Sequence, residues 1–80
     1  MATWTKPYYG VQHLDGLIRG IRQVTLTDYG PRADGSGNFV EVWALGPAGF
    51  TPIWEETAST VTEAQAKGEA YARSMGCLQG

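Results

Sequence analysis

Few residues in this chain have side chains that could support catalysis. It contains one thiol, Cys77, one imidazole, His13, and a single adjacent acidic pair, Glu55 and Glu56. A Cys–His nucleophilic site needs both side chains within hydrogen-bond reach and a third group that orients the base. Cys77 follows the last predicted element, where an incidental free thiol is the simpler interpretation. One Cys and one His are too few for a structural zinc site.

The acidic residues do not form a pattern that is typical of an active site. Glu55 and Glu56 are neighbours on a predicted strand, so their side chains point to opposite faces and are poorly placed for concerted acid–base catalysis. Residues 34–38, DGSGN, carry oxygens at alternate positions, as a calcium loop would. The sixth loop position is Phe39 where glycine is needed, and the twelfth is Leu45 where glutamate is needed. An ordinary loop is therefore favoured.

Phosphate-binding motifs are also missing from the sequence. Residues 35–40, GSGNFV, lack the third glycine of a dinucleotide-binding fingerprint, and no Gly-Lys-Ser/Thr of a P-loop occurs. We therefore predict a protein that is not an enzyme and that uses no metal and no cofactor.

Composition predicts one folded domain over residues 1–80. The apolar fraction is 42% and the charged fraction 18%, which suits a small globular protein. A net charge of -2 argues against electrostatic capture of nucleic acid. The lone cysteine excludes an internal disulfide, and no segment has the apolar length of a signal peptide or a membrane span. These features predict a cytoplasmic protein that does not bind membranes.

Two strands are predicted in the middle of the chain, joined by a turn at residues 46–49, GPAG. Residues 39–45 alternate between apolar and polar types, and residues 50–56 nearly do so. Pro52 cannot donate a ladder hydrogen bond, which predicts that the second strand lies at the sheet edge. A four-residue turn predicts cross-strand pairs on one face between Leu45 and Phe50, Trp43 and Pro52, Glu41 and Trp54, and Phe39 and Glu56.

The first part of the chain predicts a turn and a further strand. The Asp15–Gly16 pair suits a tight hairpin turn. Residues 17–29 are rich in β-branched types, which indicates one strand with a bulge at Gly20. Residues 30–38 have the composition of a loop.

The C-terminal part predicts a helix that begins with a capping box. Thr60 and Glu63 have the required spacing, and Gly76 is a natural terminator, with Leu78 available to fold back on the helix. Gly68 is expected to be a packing glycine that lets the helix backbone lie close to the sheet. The predicted inner face is Val61, Ala64, Gly68, Tyr71, Ala72 and Met75.

These elements predict an α+β fold: an antiparallel three- to four-stranded sheet, arranged as a meander, with one C-terminal helix packed on one face. We favour a helix over the face of Val40, Val42, Ala44 and Ile53, although the aromatic face could take that place. The other face displays aromatic side chains, which either the N-terminal segment or a second chain is expected to cover. Trp43 and Trp54 are therefore either core or interface residues.

Two patterns invite comparison with nucleic-acid-binding domains. The segment GNFVEVW is weakly similar to the strand motif of RNA-recognition domains, but it lacks the basic residue that opens that motif. The chain also lacks the order of strands and helices that is expected of such a domain. Three strands followed by TEAQAKGEAYA look like the C-terminal part of a double-stranded RNA-binding domain. That family places lysines at the start of this helix, where the present chain has Thr62 and Glu63. Direct nucleic-acid binding is therefore the least favoured function.

A strand meander closed by a helix of the pattern T-x-x-E-A-x-A-x-x-E-A-x-A resembles small proteins of phages and mobile elements. The pattern covers Thr60, Glu63, Ala64, Ala66, Glu69, Ala70 and Ala72. Small size, mild acidity, aromatic strands and the lack of catalytic groups are similar to anti-CRISPR proteins. This resemblance implies an inhibitor in the bacterial cytoplasm that occupies a CRISPR–Cas surveillance complex and blocks its binding of target DNA.

The implied partner is a protein with a basic surface, which carboxylates on a rigid sheet can meet while aromatic side chains provide anchors. The candidate partner-binding residues are Asp28, Asp34, Glu41, Trp43, Trp54, Glu55 and Glu56. A second class of function stays open, because the same aromatic face could equally serve a homodimer in a small structural phage protein.

Overall fold

In the part of the chain that the structure describes, five strands form one antiparallel sheet that one helix covers. A computed structural model describes residues 3–47 and 51–78. The elements are β1 (Thr3–Trp4), β2 (Val11–Asp15), β3 (Gln23–Pro31), β4 (Asn38–Leu45), β5 (Pro52–Ala58) and α1 (Val61–Ser74). Spatial order follows chain order, so every strand pairs with its sequence neighbour. The predicted α+β meander with a C-terminal helix is confirmed, with five strands instead of three or four.

The core lies between α1 and one face of the sheet, here called the covered face. Alternate residues of the central strands point to it, because successive strand side chains project to opposite sides. The fully buried strand residues are Val24, Leu26, Val40, Val42 and Ala44, and α1 adds Ala64, Gly68 and Ala72. The prediction that α1 covers the face of Val40, Val42 and Ala44 is confirmed. Ile53 was assigned to that face wrongly, since it is 50% exposed.

Both ends of α1 carry the predicted signals. The Thr60 hydroxyl accepts a hydrogen bond from the backbone N–H of Glu63 at 3.1 Å, and the Glu63 carboxylate accepts one from the backbone N–H of Ser59 at 2.9 Å. Gly76 has a φ of +72°, the left-handed conformation of a helix terminator, as predicted. Leu78 is buried in the core and forms a β-bridge with Leu17. Met75 was assigned to the inner face wrongly, because it lies at the helix end and is 54% exposed.

Gly68 is a packing glycine, as predicted. A Cβ atom at this position would lie 3.0 Å from the Trp4 ring and 3.1 Å from a Val24 methyl group. The Trp4 ring packs against the core at Gly68, and its indole N–H donates a 2.8 Å hydrogen bond to the Glu69 carboxylate. The missing side chain is therefore what allows α1, β1 and β3 to approach each other.

The N-terminal segment extends the sheet sideways instead of folding across its aromatic face, so that prediction is wrong. Tyr9 and Gly10, with φ of 50° and 78°, form the two-residue turn that joins the β1 and β2 sides of the hairpin. Trp4 and Leu14 are partners in the sheet and pack with the core. The tight turn was expected at Asp15–Gly16, but β2 ends there and a longer loop leads to β3.

The strands around that loop and the last hairpin differ from prediction. β3 begins only at Gln23, so Gly20 lies in the loop, and the irregularity of this strand falls between Asp28 and Pro31. In the β4–β5 hairpin, the observed partners are Trp43 with Glu55, Glu41 with Thr57, Val42 with Glu56, Ala44 with Trp54, and Leu45 with Pro52. The predicted pairs of Trp43, Glu41 and Phe39 are therefore wrong, and the Leu45–Phe50 pair lies outside the described residues.

A longer connection and an irregularity between Ala44 and Leu45 explain the change of register. A shift by one residue moves every side chain of a strand to the opposite face, so Trp54 points to the covered face and Glu55 to the other. The predicted edge position of β5 is confirmed.

Candidate functional site

The structure divides the predicted partner-binding residues among three places. Glu41, Trp43 and Glu55 share the face of the sheet that is opposite α1, here called the open face. Trp54 and Glu56 belong to the covered face, because their strand partners are Ala44 and Val42. Asp28 and Asp34 lie near the turn between β3 and β4. Trp43 and Trp54 thus lie on opposite faces.

Trp54 and Glu56 serve the contact between α1 and the sheet. The Trp54 ring stacks on Tyr71 with a centroid distance of 4.5 Å and an interplanar angle of 15°. The Glu56 carboxylate forms an ion pair of 3.4 Å with the Lys67 ammonium group. Their contacts are therefore structural, and neither belongs to the open face.

Glu41 is at the centre of a hydrogen-bond network on the open face. Its Oε1 atom accepts hydrogen bonds from the Trp43 indole and, at 3.2 Å, from the Tyr29 hydroxyl. The Tyr29 ring stacks on Phe39 with a centroid distance of 5.2 Å and an interplanar angle of 22°. Partial burial raises the pKa of Tyr29, and the hydrogen bond and negative charge of Glu41 raise it further.

A second polar group borders Trp43 on its other side. Thr25 is the β3 partner of Trp43, and its hydroxyl lies 3.3 Å from His13 Nδ1. The Gln23 amide contacts the same imidazole nitrogen at 2.8 Å. The sequence analysis did not predict that Tyr29 and His13 lie on the open face. For Tyr29 a signal was present, because side chains two positions apart on a strand share a face and Tyr29 follows Thr25 and Thr27 at that spacing.

Asp28 and Asp34 organise the turn between β3 and β4. The Asp28 carboxylate accepts hydrogen bonds from the Gly30 backbone N–H at 2.9 Å and from the Asn38 amide at 3.1 Å. Asp34 accepts from the Ser36 hydroxyl at 2.6 Å and from the Ser36 backbone N–H at 3.0 Å. These two bonds, the hydroxyl one foremost, lower the pKa of the exposed Asp34. Both carboxylates therefore have structural partners.

The positive charges of the chain come from residues outside the strands. No Lys or Arg occurs within any of the five described strands. Arg32, which lies between β3 and β4 in the chain, contacts the sheet with its guanidinium 5.7 Å from the Phe39 ring and hydrogen bonds to the carbonyls of Asn38 and Ala58. The part of the open face around Trp43 consequently carries Glu41 and Glu55 without a Lys or Arg from the described strands beside them.

The described residues do not assemble a catalytic group. Cys77 is buried and its Sγ atom contacts the Met75 carbonyl at 3.5 Å, whereas His13 contacts Gln23 and Thr25. Within residues 3–47 and 51–78, no three His, Cys, Asp or Glu side chains are grouped as metal ligands would be. In the same residues, no helix has both the length and the apolar character needed to cross a bilayer.

Comparisons of the chain with protein-family models, with curated proteins and with solved structures give no match.

Proposed function

We propose that this chain is a non-enzymatic binding protein of the anti-CRISPR type, which occupies a CRISPR–Cas effector complex and blocks its binding of target DNA. The observation that supports this most is the open face, where Glu41, Trp43 and Glu55 stand on a sheet whose described strands contain no Lys or Arg. Protein surfaces that hold a nucleic-acid backbone are rich in basic residues, so an acidic sheet is complementary to them.

The composition of the open face is also suited to a protein partner. Tyr29 is 58% exposed and Phe39 is 39% exposed, and the network around Glu41 holds the Tyr29 and Trp43 side chains in place. Fixed aromatic side chains are favourable anchors in protein interfaces, because they bury much surface and lose little conformational entropy. The proposed interface is therefore the open face, which excludes Trp54 and Glu56.

The proposal is tested with two charge reversals on adjacent residues of β5. Glu55→Lys changes the open face, and Glu56→Lys makes the same change of charge on the covered face. We expect the wild-type protein and Glu56→Lys to bind a purified CRISPR effector complex and prevent its binding of target DNA. Glu55→Lys should lose both activities, because a lysine would face the basic surface of the partner.

Circular dichroism of both variants shows whether each one still folds. Failure of the wild-type protein to bind any effector complex that is tested would contradict the proposed function. Equal loss of binding in two folded variants would place the interface elsewhere on the molecule.

Self-association is a second candidate function, which the free edge of β5 favours. Only β4 pairs with this strand in the described structure, so one row of its backbone groups has no strand partner. Such an edge can pair with a second copy, although Pro52 and the two glutamates oppose this. Sedimentation at increasing protein concentration tests it: a stable dimer without foreign protein supports self-association, and a monomer supports the first proposal.

A further inference from the structure

We infer that the open face recognises an arginine side chain of its protein partner, held by the carboxylates of Glu41 and Glu55 beside the Trp43 ring. This inference rests on the proposed function, since it takes the open face as the interaction surface. It adds the chemical group that is bound and the three residues that bind it.

The spacing of the two carboxylates suits one guanidinium group. Glu55 is directly opposite Trp43, whereas Glu41 is opposite Thr57, so the two glutamates are diagonal neighbours on adjacent strands. Diagonal neighbours in an antiparallel pair are about 7–8 Å apart, which is within reach of long side chains that converge on one group. A guanidinium has five N–H donors in a planar fork and can serve two carboxylates at once.

The hydrogen bonds of Glu41 prepare it for a cation. Both of its donors, the Trp43 indole and the Tyr29 hydroxyl, are neutral and bind the same oxygen, Oε1. Among the described residues, no hydrogen bond or ion pair reaches Oε2. The carboxylate is therefore oriented by its neighbours while its negative charge is left without a cationic partner in the described chain.

Two other carboxylates of the described residues, both in contact with α1, do have a cationic partner. Glu56 has Lys67 at 3.4 Å, and Glu69 has Arg73 at 3.6 Å. The ion pairs of the described residues thus lie at α1, whereas the strands that form the open face contain no Lys or Arg to pair with Glu41 and Glu55. Charge complementarity favours a cationic group from another molecule as the occupant.

The aromatic ring of Trp43, which neighbours both glutamates, favours arginine over lysine. Trp43 is half-buried, and its indole N–H is directed to Glu41. A guanidinium stacks on an aromatic face and gives up its hydration more easily than an ammonium group does. Arg32, which lies 5.7 Å from the Phe39 ring, shows the same type of contact within this molecule.

The test uses a short arginine-rich peptide and its citrulline counterpart, which has nearly the same shape without the charge. Both are titrated into the isotope-labelled protein at constant ionic strength, and NMR follows the indole N–H signals. Trp4 and Trp54 pack with the core beneath α1, so their signals are internal controls. We expect the arginine peptide to shift the Trp43 signal to saturation and the citrulline peptide to leave it unchanged.

Two matched variants then locate the binding site. Glu55→Gln removes one proposed carboxylate and should weaken peptide binding about threefold or more, since each surface charge pair contributes modestly. Glu56→Gln removes the same charge from the covered face and should leave the affinity unchanged. An equal effect of the two variants, or an equal response to the citrulline peptide, would overturn the assignment.

The outcome is separable from that of the proposed function. Binding of the arginine peptide at Trp43 without binding of an effector complex would support the arginine site and reject the anti-CRISPR function. Capture of an effector complex that requires Glu55, together with equal responses to the two peptides, would support the function and overturn the arginine site.

Discussion

The two faces of the sheet are built from alternate residues of the same strands, yet they have opposite characters. On β3 and β4 the covered face has Leu26 and Val42, which are fully buried, whereas the open face has Thr27 and Glu41 beside them. The centre of the covered face is made of aliphatic side chains, and Trp4 and Trp54 pack against it. The open face has half-exposed aromatic, acidic and hydroxyl side chains joined by hydrogen bonds.

This difference indicates that the covered face provides most of the stability of the fold. Burial of apolar surface is the main favourable term in folding, and in the described residues the buried aliphatic core is gathered under α1. The aromatic and acidic side chains of the open face are then available for binding, because the core does not depend on them. Pairs of substitutions at neighbouring strand positions, one on each face, should therefore separate the effect on stability from the effect on binding.

The largest effect is expected from Leu26→Ala, compared with Thr25→Ala on the neighbouring position of β3. Leu26 is fully buried, so its truncation should lower the free energy of unfolding by about 2–5 kcal/mol through lost burial and a cavity. Thr25 points to the open face, and its truncation should cost about 0.5 kcal/mol or less. Urea denaturation followed by tryptophan fluorescence measures both. Equal losses of unfolding free energy in the two variants would contradict the conclusion that the covered face provides most of the stability.

Gly68 offers a smaller test of how closely α1 lies on the covered face. Gly68→Leu should destabilise the protein by about 1–3 kcal/mol, because a side chain there displaces Trp4 and Val24. Ala70→Leu is the matched control, since Ala70 is exposed on the same helix and leucine is a good helix former. In thermal unfolding, the midpoint temperature should fall by about 4–8 °C for each kcal/mol of lost unfolding free energy in a domain of this size.

Gly68→Ala should have little effect in the same experiment. Within a helix, alanine is more stabilising than glycine by about 0.5–1 kcal/mol, and the tight contacts of its Cβ atom with Trp4 and Val24 offset this stabilisation. Identical unfolding temperatures for Gly68→Leu and Ala70→Leu would show that Gly68 faces solvent in solution.

The covered side was the more predictable one because its signals are local. A capping box, a terminating glycine and small residues four positions apart define α1 and its inner face without knowledge of the rest of the chain. Strand alternation placed Val40, Val42 and Ala44 together for the same reason. These predictions needed only the spacing of residues along one element.

The open face depended on features that single-strand patterns do not contain. The partners of Trp43 and Glu41 on β5 were mispredicted because an irregularity at Ala44 and Leu45 sets the register, which moved Trp54 to the covered face. The first hairpin was missed because tyrosine is an unusual residue at a positive φ, so Tyr9 gave no turn signal. Alternation did place Glu41 and Trp43 together, and this part of the candidate site was predictable.

The smallest effect concerns Tyr29, whose titration reports on the open-face network. Its pKa is raised from 10.0, first by burial and then by the hydrogen bond and charge of Glu41. A raised pKa in the folded state contributes stability below pH about 10 that is lost as the pH rises through the folded value. Glu41→Gln should therefore lower the pKa of Tyr29 part of the way, because burial remains, while Glu56→Gln should leave it unchanged. NMR of the tyrosine ring signals measures the pKa of Tyr29, and the Tyr29→Phe variant identifies which signal belongs to this residue. An unchanged pKa of Tyr29 in Glu41→Gln would show that the network around Glu41 does not form in solution.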